Sequence, residues 1–170
     1  SFGYSQTWVT QQTLITNDLN SIYVVDASTA WVVGESGIIL KTTNGGANWI
    51  TQANIPSGTS HLNSIHMFDK DTGWAVGASG KIITTADGGT NWTAQTSGTS
   101  AQLNSIHMFN ATIGFVVGTG GMVLRTSDGG LNWGIVGGSF YRDLNSVITR
   151  TGYSILSARA TAVGKSSLII

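Results

Sequence analysis

Thr85-Ala86-Asp87-Gly88-Gly89-Thr90-Asn91-Trp92 is one of three matching octets in this chain. The others are Thr42-Thr43-Asn44-Gly45-Gly46-Ala47-Asn48-Trp49 and Thr126-Ser127-Asp128-Gly129-Gly130-Leu131-Asn132-Trp133. Each has the chemistry of a tight corner. A carboxylate at Asp87 or Asp128 accepts hydrogen bonds from the backbone N–H groups of the turn, and Asn44 offers a carbonyl oxygen for the same task. The paired glycines, ending at Gly46, Gly89 and Gly130, supply the positive φ that such a corner requires. Trp49, Trp92 and Trp133 then pack on the hairpin or on a neighbouring sheet, each burying on the order of 200 Å². A corner repeated in register is a device for building a fold, and these residues are read as structural.

Other elements repeat around the octets. Leu-Asn-Ser-Ile begins at Leu19, Leu62 and Leu103 and returns as Leu-Asn-Ser-Val at Leu144, with spacings of 43, 41 and 41 residues. Fifteen residues after each of the first three leucines an apolar run closes on glycine, at Gly34, Gly77 and Gly118. A glycine-containing turn and a further apolar run follow each time, as in Ile38-Ile39-Leu40. The unit is therefore four short strands joined by tight turns, at a period suited to a blade. Apolar residues on both strand faces fit sheets sandwiched between neighbours. The expected fold is all-β, a single domain over residues 1–170: a β-propeller of four-stranded antiparallel blades. Its repeats run 19–61, 62–102, 103–143 and 144–170.

The ends depart from the pattern. After Leu144 the next Val-Gly is Val163-Gly164, twenty residues on, which places a five-residue insertion around Arg150 to Ala160. Trp8 lies eleven residues before Leu19, as Trp92 and Trp133 lie before Leu103 and Leu144, so Trp8-Val9 reads as a fourth strand. Either residues 6–18 complete the last repeat and close a four-bladed ring, which would pair otherwise bare sheet edges, or the chain is part of a larger propeller.

The octets resemble the Asp-box, Ser/Thr-x-Asp-x-Gly-x-x-Trp, of bacterial neuraminidase repeats. The longer frame, from Leu-Asn-Ser-Ile through Val-Gly to the octet, is most similar to the repeats of the photosystem II stability/assembly factor family. That resemblance covers about residues 6–170. It implies a propeller, commonly of seven blades, that scaffolds protein binding or complex assembly without catalysis.

Composition limits the alternatives. Charged residues make up 9% of the chain and the formal net charge is zero, which leaves no electrostatic footprint for nucleic acid. No apolar stretch approaches the roughly 20 residues that span a bilayer, so membrane insertion is not expected. Cysteine is absent, and neither a cofactor nor a metal is expected. Low charge with abundant Thr, Asn and Gly suits an exported bacterial protein, extracellular, periplasmic or at the cell surface. Ser1–Ser5 reads as the tail of a cleaved secretory signal.

Positions that differ between repeats are where recognition can reside. The fifth residue of the first strand is Tyr23, His66, His107 and Ile148 in turn, and two histidines on adjacent blades could share a metal only with a third ligand, which no matching position supplies. Tyr141, Arg142, Arg150, Tyr153 and Arg159 cluster around the irregular repeat. Arg and Tyr are enriched at binding hot spots, which makes these five the candidate recognition surface for a protein partner or for self-association.

Sialidase chemistry needs an arginine cluster and a Tyr–Glu pair, but the first three repeats offer Arg125 alone and Glu35 is the sole glutamate. A two-carboxylate glycosidase would have to draw on Asp18, Asp26, Asp69, Asp71 and Asp143. Of these, Asp26, Asp69 and Asp71 read as turn residues. A carbohydrate-binding or glycoside-hydrolase propeller stays as the first alternative, and exposed tryptophans lining a groove would mark it. A structural or adhesive repeat of a cell-surface protein is the second.

Overall fold

The computed structural model describes residues 10–11, 13–137, 142–150, 153–158 and 168–169, with backbone alone from residue 150 onward. The first sheet runs β1 (Leu19–Val24), β2 (Ala30–Gly34), β3 (Ile39–Thr42), β4 (Ile50–Thr51). The second runs β5 (Leu62–Met67), β6 (Gly73–Gly77), β7 (Ile82–Thr85), β8 (Thr93–Gln95). The third runs β9 (Leu103–Met108), β10 (Gly114–Gly118), β11 (Val123–Thr126), β12 (Gly134–Gly137). The fourth has three strands among the described residues: β13 (Leu144–Arg150), β14 (Tyr153–Ala158), β15 (Leu168–Ile169). All neighbours pair antiparallel in chain order. The first strands β1, β5, β9 and β13 touch one another in succession and form the hub.

The core lies between sheets. One face of the first sheet gives Trp31, Val33 and Ile39, and these meet Leu62, Ile65, Met67, Ala75, Ile83 and Trp92 of the second. The next interface repeats that set with Trp74, Val76 and Ile82 against Leu103, Ile106, Met108, Val116, Leu124 and Trp133. Val117 and Val123 against Leu144 and Val147 make the third. Strand alternation sends each sheet's two apolar sets to opposite sides, which is why both faces had to be hydrophobic.

The Leu-Asn-Ser-Ile motif latches one sheet to the next. Asn20 Nδ2 donates to the Leu62 carbonyl, Asn63 Nδ2 to that of Leu103 and Asn104 Nδ2 to that of Leu144, each at 2.9 Å. Beside them, Ser21, Ser64 and Ser105 Oγ accept from the N–H groups of Ile65, Ile106 and Val147 at 3.2–3.4 Å. Both contacts satisfy hub-strand backbone groups that no partner strand reaches.

The Val-Gly glycine is required by close approach. A Cβ on Gly77 would stand 1.8 Å from the His61 carbonyl oxygen, and on Gly34 and Gly118 it would stand 2.1 Å from those of Asp18 and Gln102. The following residues, Glu35, Ala78 and Thr119, donate their N–H groups to the same three carbonyls. The first strand of each blade is thereby fixed to the end of the second.

The fourth sheet corrects the reading of the irregular repeat. Its second strand is Tyr153–Ala158 and not the segment at Val163-Gly164, which lies outside the described residues. Leu144 pairs with Ala158, as Leu62 pairs with Gly77, and Ile148 with Ile155, as His66 with Trp74. Arg150 faces Tyr153 with only Thr151-Gly152 between them, a length suited to a two-residue hairpin. The additional residues therefore follow β14 instead of interrupting the hairpin. The proposed closing strand, with Trp8 and Val9, falls outside the described residues.

Candidate functional site

The three octets adopt one geometry. Thr42, Thr85 and Thr126 Oγ1 donate to Asn44 Oδ1, Asp87 Oδ1 and Asp128 Oδ1 at 2.8–3.0 Å. The same hydroxyls accept the N–H groups of Gly46, Gly89 and Gly130 at 2.8–2.9 Å. Each Oδ1 also accepts the backbone N–H four residues on, from Asn48, Asn91 and Asn132, at 2.9–3.0 Å. The aspartates hold a further bond through Oδ2, from Asn91 and Asn132 Nδ2 at 2.8 Å. Both glycines of each pair have positive φ, from 66° to 91°. The backbone N–H of Asn91 is the main cause that lowers the Asp87 pKa, and the Asn132 side chain is the main one for Asp128.

Each corner also meets the preceding blade. The Trp31 ring stands edge-on to Trp92, with centroids 6.0 Å apart, and a Cβ on Gly89 would collide with it at 2.3 Å. Lys41 Nζ lies 4.6 Å from the Trp31 ring centroid and donates to the Gly88 carbonyl at 2.9 Å. Trp74 Nε1 donates to the Gly129 carbonyl at 3.1 Å, and Trp133 Nε1 to Gln95 Oε1 at 3.0 Å. The Nε1 atoms of Trp31, Trp49 and Trp92 are buried without a partner.

At the hub, the fifth residues of the first strands stack around the arc. Tyr23 lies 4.8 Å from His66 and His66 lies 4.6 Å from His107, centroid to centroid. His107 Nδ1 is 2.7 Å from Thr149 Oγ1. Burial, reinforced by the neighbouring His107, pushes the His66 pKa down to about 4, and burial lowers that of His107 as well. Among the described residues no three His, Asp or Glu side chains converge to hold a metal ion. Sequence spacing singled out these positions; the continuous ring-to-ring column emerged only from the fold.

The remaining aspartates serve turns. Asp26 Oδ1 accepts from Ser28 Oγ and from the Ser28 and Thr29 N–H groups at 2.7–2.8 Å, and these bonds lower its pKa. Asp69 Oδ1 accepts from the Thr72 and Asp71 N–H groups at 2.6 and 2.8 Å, with the same consequence. Asn110 does this without charge in the third blade. Asp143 Oδ1 accepts the Gly120 N–H at 2.9 Å and joins the third and fourth blades. Glu35 lies 3.9 Å from His61 at the surface.

Of the candidate recognition residues, Arg142 is exposed just ahead of β13. Arg150 and Tyr153 are directly paired across the β13–β14 hairpin. Tyr141 and Arg159 lie outside the described residues. The hairpin thus brings Arg150 and Tyr153 together at one end of the fourth sheet, with Arg142 before its first strand.

The repeat has close relatives. A family model for the photosynthesis system II assembly factor YCF48 matches residues 3–94 and again residues 52–140. The chain belongs to this family. Among solved structures, YCF48 bound to D1 peptide superposes with a TM-score of 0.72 at 21% identity, over 85% of this chain and 49% of that one. YCF48 from Cyanidioschyzon merolae gives a TM-score of 0.64 at 20% identity, over 82% of this chain and 50% of that one. The Niastella koreensis GH74 enzyme gives 0.66 at 12% identity, over 89% of this chain and 28% of that one. At such identities the structural likeness carries the fold, and the family model carries the membership. No curated protein sequence matches the chain. It spans about half the length of the two YCF48 structures.

Proposed function

We propose that this chain is a non-catalytic propeller scaffold that binds a segment of a client protein during assembly of a larger complex. The family match across residues 3–94 and 52–140 carries this reading. The carboxylates support it. A general acid at neutral pH needs a raised pKa, whereas Asp26, Asp69, Asp87 and Asp128 are all lowered by bonds within their own turns. The glycan-binding alternative called for exposed tryptophans along a groove. Trp31, Trp74, Trp92 and Trp133 are instead buried between blades, and Trp49 is half-buried.

A related YCF48 has been solved bound to D1 peptide, so that peptide is the first probe for this chain. The expected result of a calorimetric titration is saturable peptide binding, together with no release of reducing sugar from a panel of oligosaccharides. Turnover of any oligosaccharide, or binding of sugars in place of the peptide, would overturn the proposal.

A further inference from the structure

The first sheet has one face with nothing on it. Leu19, Ile22 and Val24 occupy the positions of Leu62, Ile65 and Met67 in the second sheet and of Leu103, Ile106 and Met108 in the third. The second-sheet residues are 0, 3 and 1% exposed, because the preceding blade covers them, but Leu19, Ile22 and Val24 are 42, 61 and 64% exposed. Beside them lies a cleft of about 450 Å³ that also reaches Gly46, Trp49 and Gln11. Chemically this is the same seat that holds Trp31, Val33 and Ile39 one blade further on.

Gln11 shows what shape the occupant takes. Gln52 Oε1 and Gln95 Oε1 lie 3.0 and 2.4 Å from where a Cβ would stand on Gly89 and Gly130, so each glutamine follows its sheet's outer edge onto the next corner. Gln11 Oε1 lies 3.1 Å from the equivalent point on Gly46. Gln11, Gln52 and Gln95 each follow a tryptophan by three residues (Trp8, Trp49 and Trp92). The stretch at Gln11 therefore stands where the outermost strand of a preceding blade stands, and the inner three strands of that blade are what the cleft lacks. The β13–β14–β15 sheet is a three-stranded blade without an outer strand among the described residues. Its Ile155 sits at the register position of Trp31, opposite Ile148 on the hub strand.

The arc does not bring these two ends together in one chain. It superposes on about half of a YCF48 propeller, and the exposure of Leu19, Ile22 and Val24 shows that β13 does not return to β1. A second arc of the same span completes the circuit.

We propose that two copies of this chain associate head to tail. The fourth sheet of each seats on the Leu19–Ile22–Val24 face of the other, and the Gln11 stretch supplies its outer strand. The two contacts are equivalent and close the ring under two-fold symmetry.

The test is the solution mass of the full chain by light scattering over a micromolar concentration series. The expected mass is twice 17.8 kDa. The double variant Ile22→Asp with Val24→Asp, changed only at exposed positions, should halve that mass and keep the wild-type circular dichroism spectrum. Leu131→Asp, altered at an exposed apolar residue on a corner away from the seat, should leave it at the wild-type value. A wild-type mass of 17.8 kDa throughout, open-ended growth with concentration, or an unchanged mass in the double variant would each overturn the proposal. Loss of peptide binding would leave it standing, since the mass does not depend on the client.

Discussion

Lowering the pH from 7 to 4 should cost this protein a large part of its stability, and His66 should be the main cause. The ring is buried between Tyr23 and His107, and its pKa falls from 6.5 to about 4 in the folded chain. The unfolded chain takes up this proton as pH drops through 6.5, while the folded chain takes it up only near 4. Stability is therefore complete above pH 6.5 and declines until about pH 4, where both states are protonated. A difference of about 2.5 units at 1.36 kcal/mol each gives about 3 kcal/mol. Domains of this size have roughly 5–15 kcal/mol in all. His107, shifted in the same direction by burial, adds to the effect. The lowered carboxylates act in a separate window, since their contribution is kept above their ordinary values and lost only as pH falls through the lower folded ones.

Urea unfolding at intervals from pH 7.5 to 4.3 measures this slope directly. His66→Tyr installs the residue that the first blade already carries at this position, and most of the slope should disappear with it. A wild-type stability that is flat between pH 7 and 4.5 would refute the reasoning. So would a variant that keeps the full slope.

Three further outcomes follow from the repeat geometry. Asn63→Ala leaves the Leu103 carbonyl without its inter-blade donor and should cost about 1–2 kcal/mol in urea unfolding. Gly77→Ala drives a methyl group into the His61 carbonyl oxygen and should cost on the order of 3 kcal/mol. Gly120→Ala meets no atom within 4 Å and bears only the strain of its positive φ, about 1–2 kcal/mol, so thermal melts should rank the two glycine variants in that order. Thr85→Val removes the hydroxyl that takes the Gly89 N–H inside a buried corner and should cost about 1–3 kcal/mol by the same measurement.

The fold was legible because the constraints that build one blade recur in every blade. Thr-x-Asp/Asn-Gly-Gly-x-x-Trp names its own hydrogen bonds, and the structure contains them. Leu-Asn-Ser-Ile was visible as a repeat, but its asparagine was expected to tie its own strand end. In fact it reaches a carbonyl about 40 residues away, a distance that no local pattern encodes. The glycine of Val-Gly was legible by position and not by cause, because the carbonyl that excludes a side chain comes from before the first strand. Where the fourth repeat puts Ser157-Ala158 in place of Val-Gly, matching the dipeptide led to Val163-Gly164. The Arg150–Tyr153 pairing across Thr151-Gly152 was the better signal. The bare face of the first sheet was hidden for a different reason. Leu19, Ile22 and Val24 look like core residues in the sequence, and only the coordinates show that nothing covers them.

The claim on which the rest depends is that the corner carboxylates build the propeller and perform no chemistry. Asn44 already fills the first corner with the same Oδ1 contacts that Asp87 and Asp128 make in theirs. The deciding measurement compares two double variants, Asp87→Asn with Asp128→Asn and Asp87→Ala with Asp128→Ala, by unfolding midpoint and by affinity for the D1 peptide. The account predicts that the asparagine pair keeps most of the wild-type midpoint and binds the peptide as the wild type does, while the alanine pair unfolds well below both. An asparagine pair that folds like the wild type but has lost binding would contradict it, because the carboxylates would then be acting on a ligand.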